Sequence, residues 1–168
     1  KELSKYFSES GLIKYRVYIE IQYFIHLCNM NLEELKMITK KDLAKIEAIS
    51  SKITDKNISR IKQIETITNH DVKAVEYFLK EKISINHTLL SAREFIHFAC
   101  TSEDINNISH ALMLKDGREI MLRQMREVIE HIKSLTNENV MSPMLSRTHG
   151  QTASPTTLGK EMANFIDR

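Results

Sequence analysis

Between Ser102 and about Asn139 the chain carries a seven-residue pattern that constrains its fold more than any other feature. One position of the repeat holds Ala111, Arg118, Met125 and Ile132, and the other holds Leu114, Met121, Val128 and Leu135. All but Arg118 are apolar, which makes a coiled-coil-like seam. Ile105, Ile108, Leu112, Leu122 and Ile129 add part of a second face, and Gly117 is a mild internal cost that does not break the helix. At about 1.5 Å per residue, a helix of about 38 residues spans roughly 57 Å. A compact domain of 168 residues has a radius of gyration of about 15 Å and a diameter of about 40 Å. The helix outgrows its own globule. It is expected to belong to a long bundle completed by further chain, by other subunits, or by both.

The remainder also reads as helix, and the predicted fold class is all-α: an N-terminal helical domain over residues 1–100, then the start of a helical bundle over 101–168. Leu12, Ile13, Val17, Ile19, Ile21, Phe24, Ile25 and Cys28 surround most of a helix from Ser8 to Asn29, implying burial on more than one side. Further helices are expected over Leu32–Ile53, Asp55–Thr66, Asp71–Lys82 and Leu90–Ala99. Val140–Thr148 is the plausible extended piece, because Pro143 interrupts any helix. Ser154–Pro155 reads as the N-cap and first residue of a last helix running to Arg168. That helix has no closing signal at Arg168, and residue 1 is Lys, so both ends are expected to be cuts through a longer protein.

Composition excludes several function classes. There are 24 Lys+Arg against 22 Asp+Glu, a net charge of +2, which argues against a nucleic-acid binder. No apolar run approaches a membrane span. Four glycines and two prolines leave no Gly-rich phosphate loop. Cys28 and Cys100 have apolar neighbours and no metal-ligand spacing, so reduced thiols, no metal and a cytoplasmic setting are expected.

Three polar clusters stand where helices are predicted to begin. Thr68-Asn69-His70-Asp71 precedes the apolar Val72 and Val75, with Asn69 as a natural N-cap. Thr101-Ser102-Glu103-Asp104 resembles a capping box with Asp in place of the usual Glu or Gln. Ser146-Arg147-Thr148-His149-Gly150-Gln151-Thr152 precedes Ser154-Pro155. Each cluster singly is ordinary capping. Together they combine hydroxyl and amide donors with helix N-termini, two of them with a histidine, which suits an anionic substrate. Glu103 and Asp104 oppose that role unless they point away. Of the other histidines, His26 is expected in the core or facing a subunit, His87 and His131 at the surface, and His97 and His110 between these cases.

The third cluster, continued through Ala153-Ser154-Pro155-Thr156, resembles the histidine-bearing region of the fumarase/aspartase superfamily. Residues 68–79 and 94–107 are similar to the bacterial-type adenylosuccinate lyase branch of it. The resemblance covers essentially the whole chain. It implies cleavage of a C–N bond by β-elimination: adenylosuccinate to AMP and fumarate, and the succinyl-aminoimidazole carboxamide ribotide to its amide and fumarate, without a cofactor. It implies that His149 is the general acid with Thr148 beside it, and that Asn69, His70, Asp71, Thr101 and Ser102 contact the substrate. An imidazole suits that acid role near neutral pH.

The resemblance further implies a homotetramer with active sites shared between subunits, and no nucleic-acid or membrane partner. The family's catalytic serine, on a Gly-Ser-Ser loop, and its phosphate-binding arginines correspond to no residue of this stretch, so residues 1–168 alone are expected to be inactive. Another lyase of the superfamily, or a non-catalytic helical oligomerisation module built on the heptad seam, are the alternatives.

Overall fold

A computed structural model describes residues 2–30 and 32–168. They form two compact units, one up to Gly117 and the other Arg118–Arg168, each described by itself.

The first unit is helical. Ser8 caps helix α1 (Glu9–Asn29) by accepting the Gly11 N–H. Ile13, Val17, Ile21, Phe24 and Leu27 point from one face of α1 into the main core. Helices α2 (Lys40–Ser51), α3 (Asp55–Thr68) and α4 (Asp71–Ile83) complete that core with Ile46, Ile61, Phe78 and Leu79. Burying each such side chain stabilises by about 1.5–3 kcal/mol relative to exposure. On another side of α1, Ile19 meets Val72 and Ile105 in a second small cluster. The two-sided burial expected of α1 is therefore observed.

Some boundaries differ from the sequence expectation. The helix expected from Leu32 starts only at Lys40, because Thr39 and Asp42 form a reciprocal capping box there. Residues 90–99 are not one helix. A short helix α5 (His87–Leu90) and a 3-10 turn (Arg93–Phe95) precede a loop in which His97 and Ala99 adopt φ of 62° and 55°. His26 is exposed rather than in the core.

Helix α6 (Ser102–Glu138) forms over nearly the expected length. Its buried row is Ile105, Ser109, Met113 and Gly117, spaced by four, and not the heptad seam. Gly117 admits the Phe7 ring: a Cβ there would lie 2.4 Å from Phe7 Cε2. Leu114, Met121, Met125, Val128 and Leu135 of the seam are all exposed.

In the second unit, strand β1 (Pro143–Thr148) falls within the expected extended piece, but it pairs with an unexpected antiparallel strand β2 (Gln151–Thr157). Ser154 and Pro155 lie in β2 rather than opening a helix; helix α7 (Leu158–Asp167) starts later, capped by Thr157, whose side chain accepts the Lys160 N–H. A two-stranded ribbon tolerates Pro155, since either strand has a free edge and the register is irregular between Leu145 and Arg147.

Candidate active site

The first cluster is built from two helix ends. Asn69 is not the N-cap of α4; it closes α3 with φ 52°, its N–H bonding Glu65 O. Asn tolerates that left-handed conformation better than most residues. His70 is the cap instead, with Nδ1 accepting the Lys73 N–H at 3.2 Å. That bond places the ring proton of neutral His70 on Nε2, as a donor facing outward. The Asp71 carboxylate accepts its neighbour Val72 N–H at 2.9 Å. Two amides at the start of α4 are thus already used. The groups left to meet a ligand are side chains: His70 Nε2–H, the Asn69 amide and the Asp71 carboxylate.

The second cluster is brought to the first. Ser102 Oγ lies 3.4 Å from His70 Nε2. Asp104 turns back and accepts the Thr101 N–H at 2.7 Å, so its charge serves the helix start. Arg16, nearly buried on α1, ties the clusters together: Nη2 donates to Asp71 Oδ2 at 2.5 Å and Nε to Asn106 Oδ1 at 2.9 Å. Burial pushes the Asp71 carboxyl up, but the Val72 N–H and the Arg16 guanidinium outweigh it and hold the group below the usual carboxylate range. A cavity of about 520 Å³ is lined by Asn69, His70 and Asp71 together with Lys62, Glu65 and Thr66.

The third cluster forms the tip of the hairpin in the second unit. His149 (φ 49°) and Gly150 (φ 76°) are the two loop residues between Thr148 and Gln151. Positive φ at both central residues is what a type I′ hairpin turn requires. His149 is therefore presented by a turn and not by a helix N-terminus, and both it and Thr148 are exposed.

Sequence reasoning missed Arg16 and, four residues on, Glu20. Glu20 is fully buried and its Oε1 is 2.6 Å from His97 Nδ1. Burial raises its carboxyl above the ordinary value, against the lowering effect of His97. The available signal was two charged residues, one helical turn apart, among the apolar residues of the most apolar helix.

Comparison with known proteins agrees with the fold. The chain is 51% identical to an adenylosuccinate lyase of Vibrio cholerae over 168 residues, and 50% identical to that of Escherichia coli K12 over 164 residues. These alignments cover 99% and 96% of this chain and 37% and 36% of those proteins, so the chain spans little more than a third of the curated relatives' length. Among solved structures, a 3-carboxy-cis,cis-muconate lactonizing enzyme from Pseudomonas putida superposes with a TM-score of 0.80 at 17% identity, covering 98% of this chain and 36% of that one. A fumarate lyase from Mesorhizobium sp. BNC1 gives 0.78 at 20% identity, covering 99% and 36%. The model of the family described as lyase matches residues 1–168, and the chain belongs to that family.

Proposed function

We propose that this chain forms the N-terminal portion of an adenylosuccinate lyase, which releases fumarate from adenylosuccinate to give AMP and from the succinyl-aminoimidazole carboxamide ribotide to give its amide. The observation that carries this reading is the joining of two separate polar clusters, through Ser102–His70 and through Arg16 to Asp71 and Asn106, into one donor-rich surface. Half-identity to proteins named adenylosuccinate lyase supports the substrate.

In this reaction a base removes a proton from carbon beside the carboxylate, the C–N bond breaks, and the leaving nitrogen takes a proton. His149 supplies that last proton, with Thr148 beside it. Asn69, His70, Asp71, Thr101 and Ser102 hold the substrate; the Nε2–H of His70 and the Ser102 hydroxyl are donors for its carboxylate or phosphate oxygens. No cofactor takes part. As functional domains, residues 1–100 are the N-terminal helical domain and 101–168 begin the bundle. The exposed seam of α6 supports assembly into a cytoplasmic homotetramer with shared sites.

Ultraviolet absorbance tests the activity. The full-length protein should convert adenylosuccinate with stoichiometric fumarate release, and residues 1–168 alone should match buffer. Turnover of argininosuccinate or carboxymuconate in its place by the full-length protein would transfer the assignment to another lyase of the superfamily. No turnover of any of them would favour the oligomerisation module.

A further inference from the structure

Next to the surface just described, the loop between the 3-10 turn and α6 folds His97 and Cys100 back onto Glu20 of α1. One ligand atom from each of the three residues lies within 4.8 Å of the others. The His97 Nδ1 to Cys100 Sγ separation is 3.5 Å. Two ligands of one tetrahedral zinc, with S and N bonds of about 2.3 and 2.05 Å, stand about 3.6 Å apart. Glu20 is 0% exposed, and while its Oε1 engages His97, its Oε2 is buried without a hydrogen-bond partner. Such a carboxylate oxygen, buried without a protein partner, is rare in native proteins and calls for a water, an ion or strain to account for it.

We propose that Glu20, His97 and Cys100 form a site for a borderline-soft divalent cation of the zinc class, bound by one carboxylate oxygen, one imidazole nitrogen and one thiolate. The donor set suits that class, since a thiolate and an imidazole disfavour magnesium and calcium. Three protein ligands leave a fourth position for water. A cavity of about 410 Å³ lined by Tyr23, Cys100, Asp104 and Ile105 gives an approach from the Cys100 side. On binding, the Nδ1–Oε1 contact opens from 2.6 Å to about 3.4 Å, the separation of two tetrahedral ligands at these bond lengths. The Cys100 thiol releases its proton, and the proton shared between His97 Nδ1 and Glu20 Oε1 is also displaced, to solvent or to Nε2, so that both atoms are free to bind the cation. Sequence spacing could not show this trio, because Glu20 is contributed from a different helix.

Cobalt(II) titration of the chelator-treated full-length protein tests the site. The wild type should give a thiolate-to-cobalt charge-transfer band that saturates at one equivalent and is displaced by zinc. Cys100→Ser should lose the band, and Glu20→Gln and His97→Asn should weaken affinity by about tenfold or more, while Cys28→Ser keeps both. Asn suits the left-handed backbone at position 97, and melting curves of each variant separate lost ligation from lost folding. A wild type that binds neither cobalt nor zinc overturns the proposal, and so does an undiminished band in Cys100→Ser or undiminished affinity in a folded Glu20→Gln.

Discussion

The Arg16 guanidinium donates to Asp71 Oδ2 at 2.5 Å and is itself almost wholly buried, its side chain 9% exposed against 46% for the carboxylate. A charge taken out of water to that extent needs hydrogen bonds on several nitrogens. Asn106 supplies the second, so one residue of α1 fixes the start of α4 relative to the first turns of α6. The fork, and not the charge alone, makes this possible. Arg16→Lys keeps the charge and loses one of the two bonds. Its cost should be about 1.5–3 kcal/mol, the range for a hydrogen bond to a charged group. Urea unfolding measures it, and a midpoint within error of the wild type would show that Arg16 holds nothing together.

Glu76 sets an acid limit to stability. It is buried on α4, paired with Lys73 Nζ at 2.7 Å and Lys80 Nζ at 3.1 Å, with Glu94 sharing Lys80 and Glu20 also near in charge. Burial pushes its carboxyl up, but the two lysines outweigh this and the group lies below its ordinary value. A carboxyl lowered in the folded state stabilises above its unfolded pKa of about 4.3, and that contribution is lost as pH falls through the folded value. Glu76→Gln should therefore be less stable than the wild type at pH 7, and the gap should close below about pH 4. Urea midpoints across that range check it; a gap independent of pH would mean that packing, not charge, is what Glu76 provides.

Gly159 offers a test in which the sign is diagnostic. In an ordinary helix, Gly→Ala stabilises by about 1 kcal/mol. Here a Cβ would lie 2.7 Å from Thr136 O, 2.8 Å from Val140 Cα and 2.9 Å from Asn139 C, all backbone atoms. The Gly159 N–H also bonds Asn139 O, locking the start of α7 to the end of α6. Gly159→Ala should destabilise by about 1–3 kcal/mol, the usual cost of overpacking. A raised melting temperature would show that the helix ends separate readily.

How much of this could be seen beforehand depended on the range of the forces involved. Apolar periodicity gave the bounds of α1 and α6 almost to the residue, because a helix's extent follows from its local sequence, whereas the row buried on α6 is not the periodic one. The Ser154-Pro155 pair failed because it satisfies two rules at once. It is a good helix start in isolation, and it is also acceptable in a ribbon with free edges; pairing with β1 decided between them. At Asn69 and His70 the choice of cap shifted by one residue, since Asn can close a helix in a left-handed turn as well as open one. Arg16, Glu20 and the His97–Cys100 loop were invisible as a set because their partners are distant in sequence. For the seam of α6, the apolar pattern was legible but its partner was not.

That exposed seam yields a prediction about assembly. Met121, Met125, Val128 and Leu135 present a row of exposed apolar side chains on α6, and the homo-oligomer proposed above would cover it. Val128→Lys should shift the full-length protein toward smaller species in sedimentation, with the melting temperature becoming concentration-dependent. A full-length wild type that sediments as a stable monomer at micromolar concentration would leave the seam without that role.

The division of labour proposed for His149 and His70 can be tested kinetically. His149, on a two-residue turn, is exposed, a placement that suits the proton-donating role proposed for it. His70 has Nδ1 committed to the Lys73 N–H and Nε2 beside Ser102, an arrangement suited to a fixed donor. Loss of a general acid costs about a hundredfold to ten-thousandfold in rate. His149→Gln keeps polarity but delivers no proton at neutral pH, so kcat of the full-length enzyme should fall by at least about a hundredfold. His149→Asn should do the same with less strain, because Asn adopts the φ of 49° more readily. Substrate affinity, measured by calorimetry, should change little in either, since the interaction lost belongs to the transition state. His70→Gln should weaken binding as well as slow turnover. If both His149 variants kept more than about a tenth of the wild-type kcat, well above the loss expected for a missing acid, the acid role would move to His70.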